Sequence, residues 1–262
     1  DLATDIGFSV RSPKVACRLS AKDPIIFSSL VEARYLVGGV RLYSEFVERF
    51  RRLARRRTKS LITQLEQSRR EERLRFGETV YLLEPNIKRS RGGLRDLHLA
   101  RWVGYARYGE ADPDVLVRRG VLAKRDGRSL REARQFLLRV RNAMHFHASS
   151  ARDVLNRSEQ LRLAEHFNYE GDEAVLPVER FMQDYFRHTS EVRNVLAHLL
   201  ATAKRRISLA SFAVPLLSHQ IERDFRVGPT QISATRTSLP KICGDLGQVL
   251  RLMDLANLYN KR

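Results

Sequence analysis

The chain has 262 residues, 43% of them hydrophobic, and a formal net charge of +18. That apolar content supports a packed core and excludes a disordered tail, and no run approaches the length of a membrane span. The charge calls for an anionic partner (nucleic acid, nucleotide, acidic protein surface or lipid), although arginines spread over solvated helix faces produce the same total.

Residues 1–40 differ in texture from the rest. "DIGFSVRS" alternates around a glycine, "PKVACRLSA" suits a short helix, and "IIFSSLVEARYLVGG" mixes β-branched and apolar residues ahead of Gly38-Gly39, so this segment reads as the end of an α/β unit. The abrupt start suggests a piece of a longer protein. From Tyr43 to Glu78 the text is helical and basic. In "LLEPNIKRSRGGLRDLHLARW", residues 82–102, four cations (Lys88, Arg89, Arg91, Arg95) surround Gly92-Gly93. Leu99, Trp102, Val103 and Ala106 then fall at i, i+3, i+4, i+7, one apolar helix face. Ser129 and Glu132 make a capping-box pattern opening a helix whose stripe is Phe136, Leu137, Val140, Met144 and His147. Pro177 suits the first turn of a long helix with Phe181, Tyr185, Val192, Leu196 and Leu199 facing inward and Lys204, Arg205 and Arg206 at its end. "FRVGPTQISAT" is strand-like, and "DLGQVLRLMDLANLY" begins a further helix.

No Walker loop, HExxH, Cys-x-x-Cys or Gly-x-Ser-x-Gly motif is present. Cys17 and Cys243 stand far apart without metal-ligand spacing, which fits a reducing cytoplasm. The Gly-Gly corner has two readings. Flexible glycines before a helix start, with its unpaired N–H groups and surrounding cations, describe a phosphate or carboxylate site built by Lys88, Gly92, Gly93 and Arg95. A basic loop capped by a Gly-Gly turn describes it as well. Asp96, in the first helical turn, suits the helix dipole or a hold on Arg95 better than a metal. Glu32 and Arg34 alternate in an apolar run, so on a strand they share a face. An ion pair between them is the default account, and a divalent-cation site the functional one. His147 on the apolar stripe reads as a core histidine. Arg141 and His145 share a polar face and offer either anion contacts or a solvated surface.

"EPNIKRSRGGLRDLH" resembles the bifunctional protein-PII uridylyltransferase/uridylyl-removing enzymes, with similar text in the related glutamine-synthetase adenylyltransferases. The resemblance covers most of the chain. "IGFSVRS" is similar to the family's Gly-His-Ser-Val-Arg segment through Gly7, Val10 and Arg11, with Phe8 where histidine is usual. "SSLVEARYLVGG" resembles the end of the family's nucleotidyltransferase domain. "LLRVRNAMHFHASSARDVLNRSEQLRLAEHFNY" resembles its helical segment through Arg141, His145, Arg152, Asp153, Gln160 and Tyr169, and "VERFMQDYFRHTSEV" is another match.

The resemblance implies a mainly α chain: a helical domain behind a truncated α/β, polymerase-β-like nucleotidyltransferase remnant. On that basis residues 1–40 are the remnant, 41–206 the helical PII-uridylyltransferase domain, and 207–262 a linker with a short strand-like segment and the start of a truncated helical or hydrolase region. The family's Gly-Ser and Asp-x-Asp motifs would lie upstream, and its His-Asp hydrolase and glutamine-sensing ACT domains downstream. The implied activity is transfer of UMP from UTP to a tyrosine of the PII protein in nitrogen-assimilation control. The isolated piece is expected to be inactive, and deuridylylation belongs to the hydrolase domain. Glu32 is the implied catalytic carboxylate of a Mg2+ site. Lys88, Gly92, Gly93 and Arg95 are implied to hold UTP phosphate or PII, with Arg34, Arg141 and His145 as further anion contacts. Glutamine would act as effector through the further domains. The rival is a basic helical nucleic-acid-binding module of a tRNA or poly(A) nucleotidyltransferase relative. Against it, the basic residues are not interleaved with aromatics in any recognised RNA motif.

Overall fold

A computed structural model describes residues 7–204, 219–221, 224–227, 232–234 and 245–258. The chain divides into two compact units, Asp1–Lys204 and Arg205–Arg262. The first is helical: α1 (Pro13–Ser20), α2 (Pro24–Val31), α3 (Val40–Phe76), α4 (Leu94–Tyr108), α5 (Pro113–Arg118), α6 (Lys124–Ala148), α7 (Arg157–His166) and α8 (Pro177–Lys204). In the second, β1 (His219–Ile221), β2 (Phe225–Val227) and β3 (Ile232–Ala234) form an antiparallel meander in the order β1-β2-β3, and α9 spans Leu246–Leu258. The strand-like "FRVGPTQISAT" text thus supplies β2 and β3. Phe225 and Leu255 are buried here with Leu252 packed on them. Arg205, Arg206 and Cys243 lie outside the described residues.

The first 40 residues depart from the strand expectation: among the described residues 7–39 there are two helices and no strand. Local capping overrides β-branching in "PIIFSSLV". The Asp23 side chain accepts hydrogen bonds from the backbone N–H of Ile25 and Ile26, with Pro24 at the first helical position. Phe27, fully buried, then packs on Phe50 of α3 at 5.3 Å and on Tyr105 of α4 at 6.3 Å between ring centroids. Burial of that ring outweighs a propensity difference of under ~1 kcal/mol per residue.

The spine is α3, 37 residues long and kinked at Arg57, where φ is −110° and ψ is 16°. Next to the kink, the Thr58 hydroxyl lies 2.9 Å from the Ala106 carbonyl of α4 and 3.0 Å from the Ala54 carbonyl of its own helix. Such side-chain insertion into the backbone ladder is a standard cause of bending. Against α3 pack α4 and then α8, whose Phe181, Tyr185, Val192, Leu196 and Leu199 are buried as their spacing predicts. Pro177 does open α8, and the Leu176 N–H there donates to Glu179 Oε2 at 2.8 Å.

Two expectations for α6 are corrected. It begins at Lys124, so Ser129 and Glu132 sit inside it rather than capping it. Leu137, Val140 and Met144 are buried and Phe136 partly so, but His147 is exposed, 3.7 Å from Glu159. His147 lies within two residues of the helix end, past the last buried stripe residue, so its ring has no core to enter.

Candidate functional site

The segment between α3 and α4 is an irregular loop tied down from three sides. Asn86 Oδ1 accepts from the N–H of Lys88 and Arg89, making an Asx turn. The Ser90 hydroxyl donates to the Phe76 carbonyl and accepts from the Asn86 N–H. The loop also pairs with the chain after α6: Ile87 N–H donates to the Asp153 carbonyl at 2.8 Å, and Leu155 N–H to the Pro85 carbonyl at 2.9 Å.

At the corner itself, Gly92 has φ +77°, and a Cβ there would sit 2.2 Å from the Thr189 carbonyl oxygen of α8. A Cβ on Gly93 would lie 2.5 Å from the Ile87 carbonyl oxygen. Both glycines therefore serve close approach, the first to a helix and the second to its own loop.

The N–H groups expected to face an anion are engaged within the protein. Gly92 N–H donates to Asp96 Oδ2 at 2.7 Å, Gly93 N–H to the Ser90 carbonyl, Leu94 N–H to Ile87 and Arg95 N–H to Lys88. The loop folds back over the helix start, so the carbonyls that cross it occupy the donors. Asp96 neither binds Arg95 nor faces solvent. Its Oδ1 accepts from Arg69 Nε at 2.6 Å, with Arg73 at 3.5 Å, and both Asp96 and Arg69 are buried. The same guanidinium donates to the carbonyls of Arg89 and Ser90, so one arginine closes α3, the loop and α4 together. Burial weighs most on Arg73 and, with Arg69 and Arg91 nearby, depresses its pKa despite Asp96.

What remains for an anion is side-chain charge. The Lys88 ammonium makes no hydrogen bond or ion pair among the described residues. Burial, then the charges of Arg95 and Arg141, hold its pKa below the ordinary lysine value. Arg95 keeps an unpartnered, buried Nε, and its nearest carboxylate oxygen, on Glu72, is 3.9 Å away. Arg95 and Trp102, whose indole N–H is also unpartnered, line a cavity of about 250 Å³ together with Arg69, Glu72 and Ser28. His98, one turn along α4, has its pKa depressed by burial and by Arg95.

Arg141 and His145 converge on Asp153 Oδ1, at 2.7 and 2.9 Å. Burial raises the Asp153 pKa, but those two hydrogen bonds outweigh it and hold the carboxyl below its ordinary value. They are thus spent on an internal carboxylate, with Arg141 close enough to Lys88 to act on its charge. Glu32 caps the end of α2 and is forked by Arg101 of α4, at 3.1 and 2.9 Å. This replaces the expected Glu32–Arg34 pair. Without a strand the two do not share a face, and Arg34 lies exposed in the irregular segment after α2.

The residues that sequence reasoning missed are Arg69, His98, Arg101 and Asp153 as the partner of Arg141 and His145. Arg95, His98 and Trp102 stand at i, i+3, i+7, a spacing that places them along one side of α4, with Trp102 shared with its apolar face.

Comparison with known proteins falls on this same region. The sequence model of a family described as GlnD PII-uridylyltransferase matches residues 58–200. A bifunctional uridylyltransferase/uridylyl-removing enzyme of Bradyrhizobium diazoefficiens is 34% identical over 224 residues, covering 85% of this chain and 24% of the relative. Proteins of the same description from Rhodopseudomonas palustris, 33% identical over 85% of this chain and 24% of the relative, and Nitrobacter winogradskyi, 33% identical over 77% of this chain and 22% of the relative, are also similar. The chain spans about a quarter of the length of these relatives.

Proposed function

Because the chain belongs to the GlnD PII-uridylyltransferase family, we propose that it is the region of such an enzyme that helps position UTP while UMP passes to a tyrosine hydroxyl of PII, with release of pyrophosphate. The observation that carries this reading is the pairing of Lys88 and Arg95, two partly buried cations whose donors are not consumed by internal carboxylates. A triphosphate set against them would supply the counter-charge that the fold leaves out. Arg95 offers a planar fork for two oxygens and Lys88 a single strong donor. The role of Gly92 in this site is to seat the loop against α8 and that of Gly93 to let the loop close on the Ile87 carbonyl, which together fix where those two side chains start.

Glu32 stays in this proposal as the carboxylate contributed from the 1–40 segment, which we read as the end of a nucleotidyltransferase domain. Both of its oxygens are held by Arg101, and no group of three His, Cys, Asp or Glu side chains converges among the described residues. The described residues therefore do not build a Mg2+ site. Magnesium belongs to the proposal only with carboxylates from elsewhere in a longer protein, where it would neutralise phosphate charge. Nitrogen-assimilation control, a cytoplasmic setting and a glutamine effector acting through further domains complete it. No described helix is long and apolar enough to cross a membrane.

The test is transfer of labelled UMP to PII by the full-length enzyme. Arg95→Ala should lower kcat/KM by roughly tenfold to a hundredfold, the effect of a charge-assisted hydrogen bond of about 1.5–3 kcal/mol. Intact kinetics with a lowered melting temperature would make the corner structural. Binding of arbitrary single-stranded RNA with steep salt dependence, in the absence of transfer, would favour the nucleic-acid alternative.

A further inference from the structure

Away from the corner, α6 turns a different surface outward. Arg131, Leu138, Arg139 and Phe146 recur along one stripe of the helix, and Phe167, just after α7, closes the stripe into an open groove of about 720 Å³. The groove has an apolar floor and a basic edge, and no carboxylate lines it. Phe146 is 84% exposed, at odds with the fully buried phenylalanines of the core. The Arg139 guanidinium lies over the Phe167 ring, 4.2 Å from its centroid, and makes no ion pair among the described residues. Arg131 reaches only Asp114, at 3.6 Å between two exposed side chains.

An exposed aromatic flanked by arginines, Arg139 among them without an ion pair among the described residues, is the composition of an interface core rather than of a solvated helix face, because arginine and aromatic side chains carry most binding energy where proteins meet. The stripe from residue 131 to 146 runs about 22 Å along the helix. That length accommodates a short helix or six to seven extended residues of a partner. Complementary charge requires that partner to bring carboxylates to the basic edge and an apolar side chain to the floor.

We propose that this α6–α7 groove docks an acidic, apolar-bearing segment of the protein that accepts UMP, a reading that rests on the function proposed above. The groove sets how tightly the acceptor protein is held, whereas the Lys88–Arg95 pair holds the nucleotide. The two surfaces therefore separate kinetically.

The experiment measures UMP transfer to PII by the full-length enzyme and by its Arg139→Glu and Phe146→Ser variants, each checked for an unchanged melting temperature. Both positions are exposed, and Phe146→Ser leaves the cation–aromatic contact intact, so one variant survives if the other fails to fold. The expected result is at least a tenfold rise in KM for PII, with kcat and the KM for UTP unchanged. A wild-type KM for PII in both variants overturns the docking assignment while leaving the transferase reading in place. Absence of transfer by the wild-type enzyme overturns that reading and this one with it. Inhibition by single-stranded RNA that the Arg139→Glu change abolishes would assign the groove to nucleic acid and also overturns the proposal.

Discussion

Asp96 is a first-turn acid whose side chain is spent on fixing three elements. Removing it as Asp96→Ala takes away the 2.6 Å carboxylate of the buried Arg69 guanidinium and leaves it only Glu72, at 3.1 Å, so the loss should be about 3 kcal/mol, the low end for breaking a buried pair. Urea denaturation of the variant checks the figure, and a loss below about 1 kcal/mol would show the pair to be dispensable. Asp153 offers a pH test. Its pKa in the folded protein lies below the ordinary 3.8, so its contribution is present in full above that value and disappears as pH falls through the lower, folded value. Asp153→Asn should therefore reduce stability at pH 7 by about 2 kcal/mol, typical for hydrogen bonds to a charged group. The difference from the wild type should shrink in melting curves below about pH 4. A gap that widens on acidification would contradict the assignment.

Helix α2 buries one side chain fully, Phe27, with Leu30 and Val31 packed partly against the core. Phe27→Ala removes the ring shared with Phe50 and Tyr105 and should cost about 3–5 kcal/mol. Hydrogen exchange should show α1 and α2 losing protection before α8 does, and equal loss across all helices would mean that the core yields as one. The same helix shows what the sequence disclosed and what it withheld. Helix α8 was legible because Pro177 marks its start and five apolar residues keep one period across it. Helix α2 was hidden because Ile25, Ile26 and Val31 read as strand when the Asp23 cap and the Phe27 contacts are not in view. The Gly92-Gly93 corner was recognisable as a constrained turn. Its internal use of N–H groups was not, because the carbonyls that take them and the Arg69 that locks the loop lie outside the local pattern, Arg69 being 27 residues from Asp96. Charge alone pointed to four cations, Lys88, Arg89, Arg91 and Arg95, and did not single out Lys88 and Arg95. That their donors stay unused depends on where Glu72 and Asp153 fall, which only the packed helices decide.

At the scale of the molecule, a net charge of +18 makes the folded chain repel itself, and added salt should relieve that generally. A specific anion site acts beyond screening. Pyrophosphate at ten times its Kd should stabilise the folded protein by about 1.4 kcal/mol over sodium chloride of equal ionic strength. Scanning calorimetry would register this as a shift of a few degrees, and Lys88→Ala should erase it. Identical melting in the two salts would dismiss the site. The buried Arg69–Asp96 pair then has a mechanical meaning. Phe46, where α3 carries aromatic packing beside α2, stands 23 residues from Arg69, a lever of about 35 Å along a helix bent once at Arg57. At its far end the lever is riveted to the loop and to α4 by one guanidinium, while Gly92 is pressed against α8. Two of the groups that Arg69 holds, the Arg89 carbonyl and the Asp96 carboxylate, belong to the residues next to Lys88 and Arg95. A displacement of α3 at Arg69 should therefore carry the backbone beside both cations with it.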